Sequence, residues 1–166
     1  MFDGPGELQR DVRGRSEEGL QGVRGWLLFF CVLNTVIWPS VMLVIVASHL
    51  SRFSASGDGG SGIAQVIFLS DAAGVGLAAF GAYAGLRLWR RDPGAVPLTR
   101  IYLATEAIMQ FVAIGFPYLV GLSPSVRGEL LLPNIQGAVG TAVVVALWYA
   151  YFQRSRRVAA TYDGAQ

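Results

Sequence analysis

The chain has 166 residues, 53% of them hydrophobic and 14% charged, with a net charge of +2. Ordinary soluble domains carry about 25% charged residues, so this composition argues against a water-soluble globule. The small positive charge comes without any stripe of basic residues interleaved with aromatics, so no nucleic-acid partner is expected.

Residues 1–24 mix Arg10, Arg13, Arg15 and Arg24 with Asp3, Glu7, Asp11, Glu17 and Glu18, and interpose Gly and Pro. Such a segment buries little apolar surface and is expected to be mobile, with a short interfacial helix around Leu8 and Val12 as the alternative. No charged residue then occurs until Arg52. Roughly 20 apolar residues rising about 1.5 Å each match the ~30 Å hydrocarbon core, which predicts a first span over about 26–49. This stretch is too long for the core of a cleavable signal, so the N-terminus is expected to persist. Cys31 is the single cysteine. It cannot close an internal disulfide, and it reads as a small apolar packing residue.

Ser54 to Gly62 is a Gly/Ser tether without the Lys-Ser/Thr pair of a phosphate-cradling loop. The second span, about 64–88, is interrupted by Asp71 alone. Asp71, Gly74, Ala78, Ala82 and Gly85 form a stripe of small residues, and Gly81 and Gly85 make a GxxxG, which together permit close helix approach and place Asp71 in a helix–helix seam. Pro93 and Pro97 end the hairpin and keep the flanking helices from merging. The third span, about 99–121, is interrupted only by Glu106, and Tyr102, Glu106, Gln110, Ala113 and Pro117 share the face expected to point into the bundle. Ser123-Pro124 reads as a helix start and Pro133 as another. These predict a short interfacial helix over Pro124–Leu131 and a fourth span over about 134–153.

The expected fold is therefore all-α, an antiparallel bundle of four transmembrane helices (25–153) between an N-terminal segment (1–24) and an Arg-rich tail (154–166). The N-terminal segment, the middle connection and the tail share one side and carry every arginine except Arg52 and Arg127. Translocated loops are poor in positive charge, so both termini are expected in the cytoplasm.

Three blocks look familiar. Gly22-Val23-Arg24-Gly25-Trp26-Leu27-Leu28-Phe29-Phe30-Cys31 opens the first span, and Tyr83-Ala84-Gly85-Leu86-Arg87-Leu88-Trp89-Arg90 closes the second. Trp148-Tyr149-Ala150-Tyr151-Phe152-Gln153-Arg154-Ser155-Arg156-Arg157-Val158, with Thr161-Tyr162, ends the fourth. In this order they resemble the DUF2569 family of small bacterial inner-membrane proteins, with Arg156 where the family usually has Lys. The resemblance implies four helices in a bacterial cell membrane. It transfers no activity, because the family is one of unknown function.

An acid near the bilayer centre costs about 2.5–3.5 kcal/mol on insertion scales, so Asp71 and Glu106 are the leading functional candidates, with Gln110, Tyr102 and Asn34 as polar neighbours. The acids lie in opposite halves of the membrane and are not expected to form a dyad. Both are first read as hydrogen-bonded polar glue, with partners sought among Ser70, Asn34, Gln65, Asn134 and Thr141. A proton or cation relay is the competing reading. His49 is expected in the headgroup layer. With no second His and no Cys/His cluster, neither haem nor metal nor another cofactor is expected. Trp26, Trp89, Trp148, Tyr149 and Tyr151 form an aromatic belt. Arg90, Arg91, Arg154, Arg156 and Arg157 beside it are assigned to anionic headgroups, or else to a partner protein. The functional expectation is a non-enzymatic accessory, assembly or scaffold subunit, in a homo-oligomer or a larger membrane complex. The alternative is an oligomeric transporter or proton/cation pathway using Glu106 and Asp71.

Overall fold

A computed structural model describes residues 22–56 and 62–162. The expected mobile N-terminal segment up to residue 21, most of the Gly/Ser tether and residues 163–166 lie outside the described residues. The elements are α1 (Trp26–Val32), a π-helical turn (Leu33–Ile37), α2 (Trp38–Ser56), α3 (Gly62–Trp89), α4 (Ala95–Leu119), α5 (Pro124–Arg154) and α6 (Arg156–Tyr162). Four helices are long and apolar enough to cross a membrane: Trp26–Ala55, which joins α1, the π turn and α2, then Ile63–Trp89, Ala95–Leu119 and Pro124–Arg154. Leu119 is 82% exposed, Phe111 73% and Val44 70%. In water each such side chain would forfeit about 1.5–3 kcal/mol of burial, so the solvent that suits this surface is hydrocarbon. The protein is an all-α, multi-pass membrane protein.

Proline explains where the helices depart from the expected boundaries. The third helix begins at Ala95 because Arg91 (φ 58°) and Gly94 (φ 79°) turn the chain in left-handed conformations on either side of Pro93. Pro97 then falls in the first helical turn, where its missing N–H has no intrahelical acceptor to lose, so it starts the helix instead of stopping one. The two expected segments over Pro124–Leu131 and from 134 are one unbroken helix. Pro133 deprives only the Glu129 carbonyl of its usual donor, and Glu129 is exposed near the helix start, where water can replace that bond. In the first span Pro39 cannot bond the Thr35 carbonyl. The chain widens into the π turn just before it, with the Trp38 N–H reaching back five residues to the Leu33 carbonyl.

The spans pack in sequence order, one on two, two on three and three on four, while the seam between spans one and four is not among the closely packed pairs. Span two sits inside this array because its glycines admit neighbours from both sides. A Cβ on Gly81 would stand 2.9 Å from the Tyr102 ring of span three, and one on Gly85 would stand 2.8 Å from Thr35 Cγ2 of span one. The GxxxG is thus used within the chain. The tightest core gathers at the Arg-rich end, where Leu27, Phe30, Cys31, Leu88, Tyr102, Leu103 and Phe152 are buried together. The tail closes this end: Ser155 ends α5 and accepts the Val158 N–H as the cap of α6. Val158 and Thr161 are buried beneath the bundle. The Tyr162 hydroxyl donates to the Leu88 carbonyl at 2.6 Å, and the Gly22 N–H donates to Thr161 Oγ1 at 3.2 Å.

Candidate functional site

Asp71 is buried in the seam between spans one and two, as the small-residue stripe predicts. Its partner is His49, whose Nδ1 lies 2.9 and 3.1 Å from the two carboxylate oxygens. Sequence reasoning left His49 alone at the membrane surface and looked for the partner of Asp71 elsewhere. A signal was present: the two residues are equidistant from Gly60 (60 − 49 = 11, 71 − 60 = 11), so an antiparallel hairpin turning at the Gly/Ser tether sets them at one height. The contact ties the two helices together, which is the glue role.

The other candidates gather elsewhere. Glu106 lies one turn after Tyr102 on span three, on the same face. Both line a cavity of about 390 Å³ whose remaining wall comes from Phe30, Leu33, Asn34 and Trp38 of span one and from Gly137, Gly140, Thr141, Val144 and Trp148 of span four. The cavity therefore sits behind the loosely packed seam between spans one and four. The π turn supplies Leu33 and Asn34 of that wall. There Asn34 Nδ2 donates to the Phe30 carbonyl at 3.0 Å and Thr35 Oγ1 to the Cys31 carbonyl at 2.7 Å, serving backbone groups just ahead of the widened turn. At the Arg-rich end Trp148 closes the seam by edge-on contact with Phe30, ring centroids 4.7 Å apart. The Tyr102 ring is fixed by the niche at Gly81 and by the edge of Phe80, 5.6 Å away. Gln110 stands one turn beyond Glu106 on the same face and approaches Gly137.

Asp71 and Glu106 thus occupy different seams, in keeping with their expected separation. A third polar side chain, Asn134, does structural work that the pattern did not reveal. Pro117 has no N–H for the Ala113 carbonyl, and Asn134 Nδ2 of span four donates to that oxygen at 3.1 Å.

Arg90, Arg91, Arg154 and Arg156 are exposed at the same end of the bundle, and Arg157 is half-buried beside them. Arg91 also has a local role. It takes the left-handed position that ends span two, with its N–H on the Leu88 carbonyl and the Asp92 N–H on the Arg87 carbonyl, both at 3.0 Å. Two arginines that the sequence did not single out brace this end. Arg87 pairs with Asp92 at 2.6 Å, and Arg100 donates to the Phe152 carbonyl at 3.1 Å, joining spans three and four.

No family model, curated protein or solved structure matches the chain. Fold and site define a class on their own: a four-span α-helical membrane protein with one acid bonded to a histidine in a seam and a second lining a cavity between helices. Among the described residues no three His, Cys, Asp or Glu side chains converge as metal ligands do.

Proposed function

We propose that the protein is a non-enzymatic accessory, assembly or scaffold subunit of a bacterial inner-membrane complex, with both termini in the cytoplasm and a kinship to DUF2569. The observation that carries this reading is where the polar side chains of the spans are used. Asn34, Thr35, Thr99, Thr105 and Asn134 each bond a backbone carbonyl of the bundle, and Asp71 is held by His49. Side chains committed in this way hold a fold together. The kinship is supported by the meeting in space of the three blocks that carry the resemblance: Gly22 on Thr161, Tyr162 on Leu88, and Phe30 on Trp148. The arginine bias supports the cytoplasmic assignment of that end, and Arg90, Arg91, Arg154 and Arg156 would meet anionic headgroups or an acidic partner there. Isolation in mild detergent followed by mass spectrometry tests the reading. A reproducible stoichiometric membrane partner supports it, and a protein that purifies only with itself and lipid refutes it.

A second reading, an oligomeric proton or cation pathway, draws on Glu106, which lines the cavity with no basic residue beside it. Proton or solute flux into vesicles, abolished by Glu106→Gln, is the result that would favour it over the first.

A further inference from the structure

We infer that the cavity at Glu106 is a binding site for a lipophilic organic cation, an amine or quaternary ammonium carrying an apolar or aromatic group. This goes beyond the accessory reading and holds with or without a partner subunit. It also deepens the second reading by naming a ligand, and binding is measured here without flux, so the two can fail separately.

Four features of the cavity carry the inference. Its size, about 390 Å³, falls in the range of small-molecule sites, roughly 300–1,000 Å³. Its wall is mostly apolar and carries the rings of Phe30, Trp38, Tyr102 and Trp148 from three different spans, and aromatic faces attract cations, quaternary ammonium groups above all. Its one carboxyl is Glu106. Among the lining residues Glu106 and the Tyr102 phenol are the titratable groups, the first and fourth spans contribute none, and no lining residue is basic. The contrast with Asp71 is informative, because that acid already has the His49 imidazole 2.9 Å away, whereas none of the residues lining the cavity is a hydrogen-bonding base for Glu106. Finally, the cavity lies behind the seam between spans one and four, the loosely packed edge of the array, so an apolar ligand dissolved in the membrane reaches it sideways. The headgroup of such a ligand meets the Glu106 carboxylate while its apolar part replaces lipid against Leu33, Leu103 and Val144.

The test uses the full chain in lipid nanodiscs and radiolabelled benzyltrimethylammonium as the probe, measured by equilibrium dialysis against empty nanodiscs. Its uncharged carbon isostere, neopentylbenzene, serves as competitor. The expected result is saturable binding that Glu106→Gln weakens about tenfold or more and that neopentylbenzene displaces poorly, since loss of a charge-assisted contact is a difference of that order. Trp38→Leu gives an independent arm, because Trp38 is a cavity wall residue at the exposed edge of span one and its replacement leaves the buried core intact. It should weaken the cation while Gly76→Ala, on the outer face of span two, leaves it unchanged. Absence of saturable binding overturns the inference. So does a Glu106→Gln protein that binds as wild type does, or an isostere that competes as well as the cation, which would make the cavity a purely apolar one.

Discussion

The bond from Asn134 to the Ala113 carbonyl is the sharpest place to test how this bundle is held. Asn134→Ala removes the side-chain donor that replaces the N–H missing at Pro117, and leaves the carbonyl without a partner in a hydrocarbon setting. Side-chain hydrogen bonds between membrane helices contribute about 0.6 kcal/mol on average and reach about 1.7 kcal/mol. Here the orphaned carbonyl has no backbone alternative, so the expected loss lies in the upper part of that range. Pro117→Ala restores the intrahelical N–H, and in that background Asn134→Ala should cost only a few tenths of a kcal/mol. The coupling expected from the four-member cycle is therefore about 1 kcal/mol, roughly a fivefold change in the folding equilibrium. Reversible unfolding in mixed micelles, titrated with a denaturing detergent and followed by tryptophan fluorescence, measures all four proteins. Equal costs of Asn134→Ala in the wild-type and Pro117→Ala backgrounds would show that the amide does not serve the proline-freed carbonyl, and the argument would fail.

Three further results are expected. Gly85→Ala and Gly81→Ala add a methyl that meets Thr35 and the Tyr102 ring below 3 Å and should each cost about 1–3 kcal/mol, whereas Gly76→Ala meets nothing and should be neutral or slightly stabilising in the same unfolding assay. His49→Ala removes a hydrogen bond to a charged acceptor, worth about 1.5–3 kcal/mol, and Asp71→Asn in the same protein should recover part of the loss by removing the unbalanced charge. Tyr162→Phe deletes the bond to the Leu88 carbonyl, an expected loss of about 0.5–1.5 kcal/mol read as faster tryptic cleavage at the tail arginines. Burial pushes the Tyr162 phenol up, Cys31 and Tyr151 add to this and Arg91 opposes it. The folded value stands above the unfolded one of about 10, so this contribution to docking is complete below that pH and lost as pH rises through the folded value. The phenylalanine protein should lack that alkaline dependence.

The contacts that were legible in the sequence are those that hairpin geometry controls. In an antiparallel pair of helices, residues that meet have numbers with a nearly constant sum. His49 with Asp71 and Thr35 with Gly85 both sum to 120. Gly81 with Tyr102 sums to 183, which sets the next turn between Arg91 and Asp92. Ala113 with Asn134 and Gln110 with Gly137 both sum to 247, which sets the last between Ser123 and Pro124. The small-residue stripe and helical periodicity were enough to place Asp71 in a seam and to turn Tyr102 and Pro117 inward, whereas Ala113 on the same stripe is exposed. The register was also enough to find His49, had it been applied to a residue whose position near the membrane surface suggested a simpler role.

No such sum governs the contacts that close the array. Phe30 on Trp148, Gly22 on Thr161 and Tyr162 on Leu88 join elements with no single turn between them. They depend on how each helix rotates about its neighbour, which packing sets and periodicity does not. The π turn adds to this, because one extra residue in a helical turn shifts the register of every side chain beyond it by about 100°. Asn34 lies within that turn and Trp38 just beyond it, and both line the cavity with Glu106. A proline that takes away one backbone donor widens the turn before it, and the widened turn helps to hold spans one and four apart around a single carboxyl. Pro39→Ala, by letting the π turn relax to a regular helix, should turn Asn34 away from Glu106 and narrow the seam. Cysteines placed at Leu33 and Val144 in a Cys31→Ala protein should then crosslink with shorter reagents than they do with Pro39 present, and unchanged reach would mean that the proline does not set the gap.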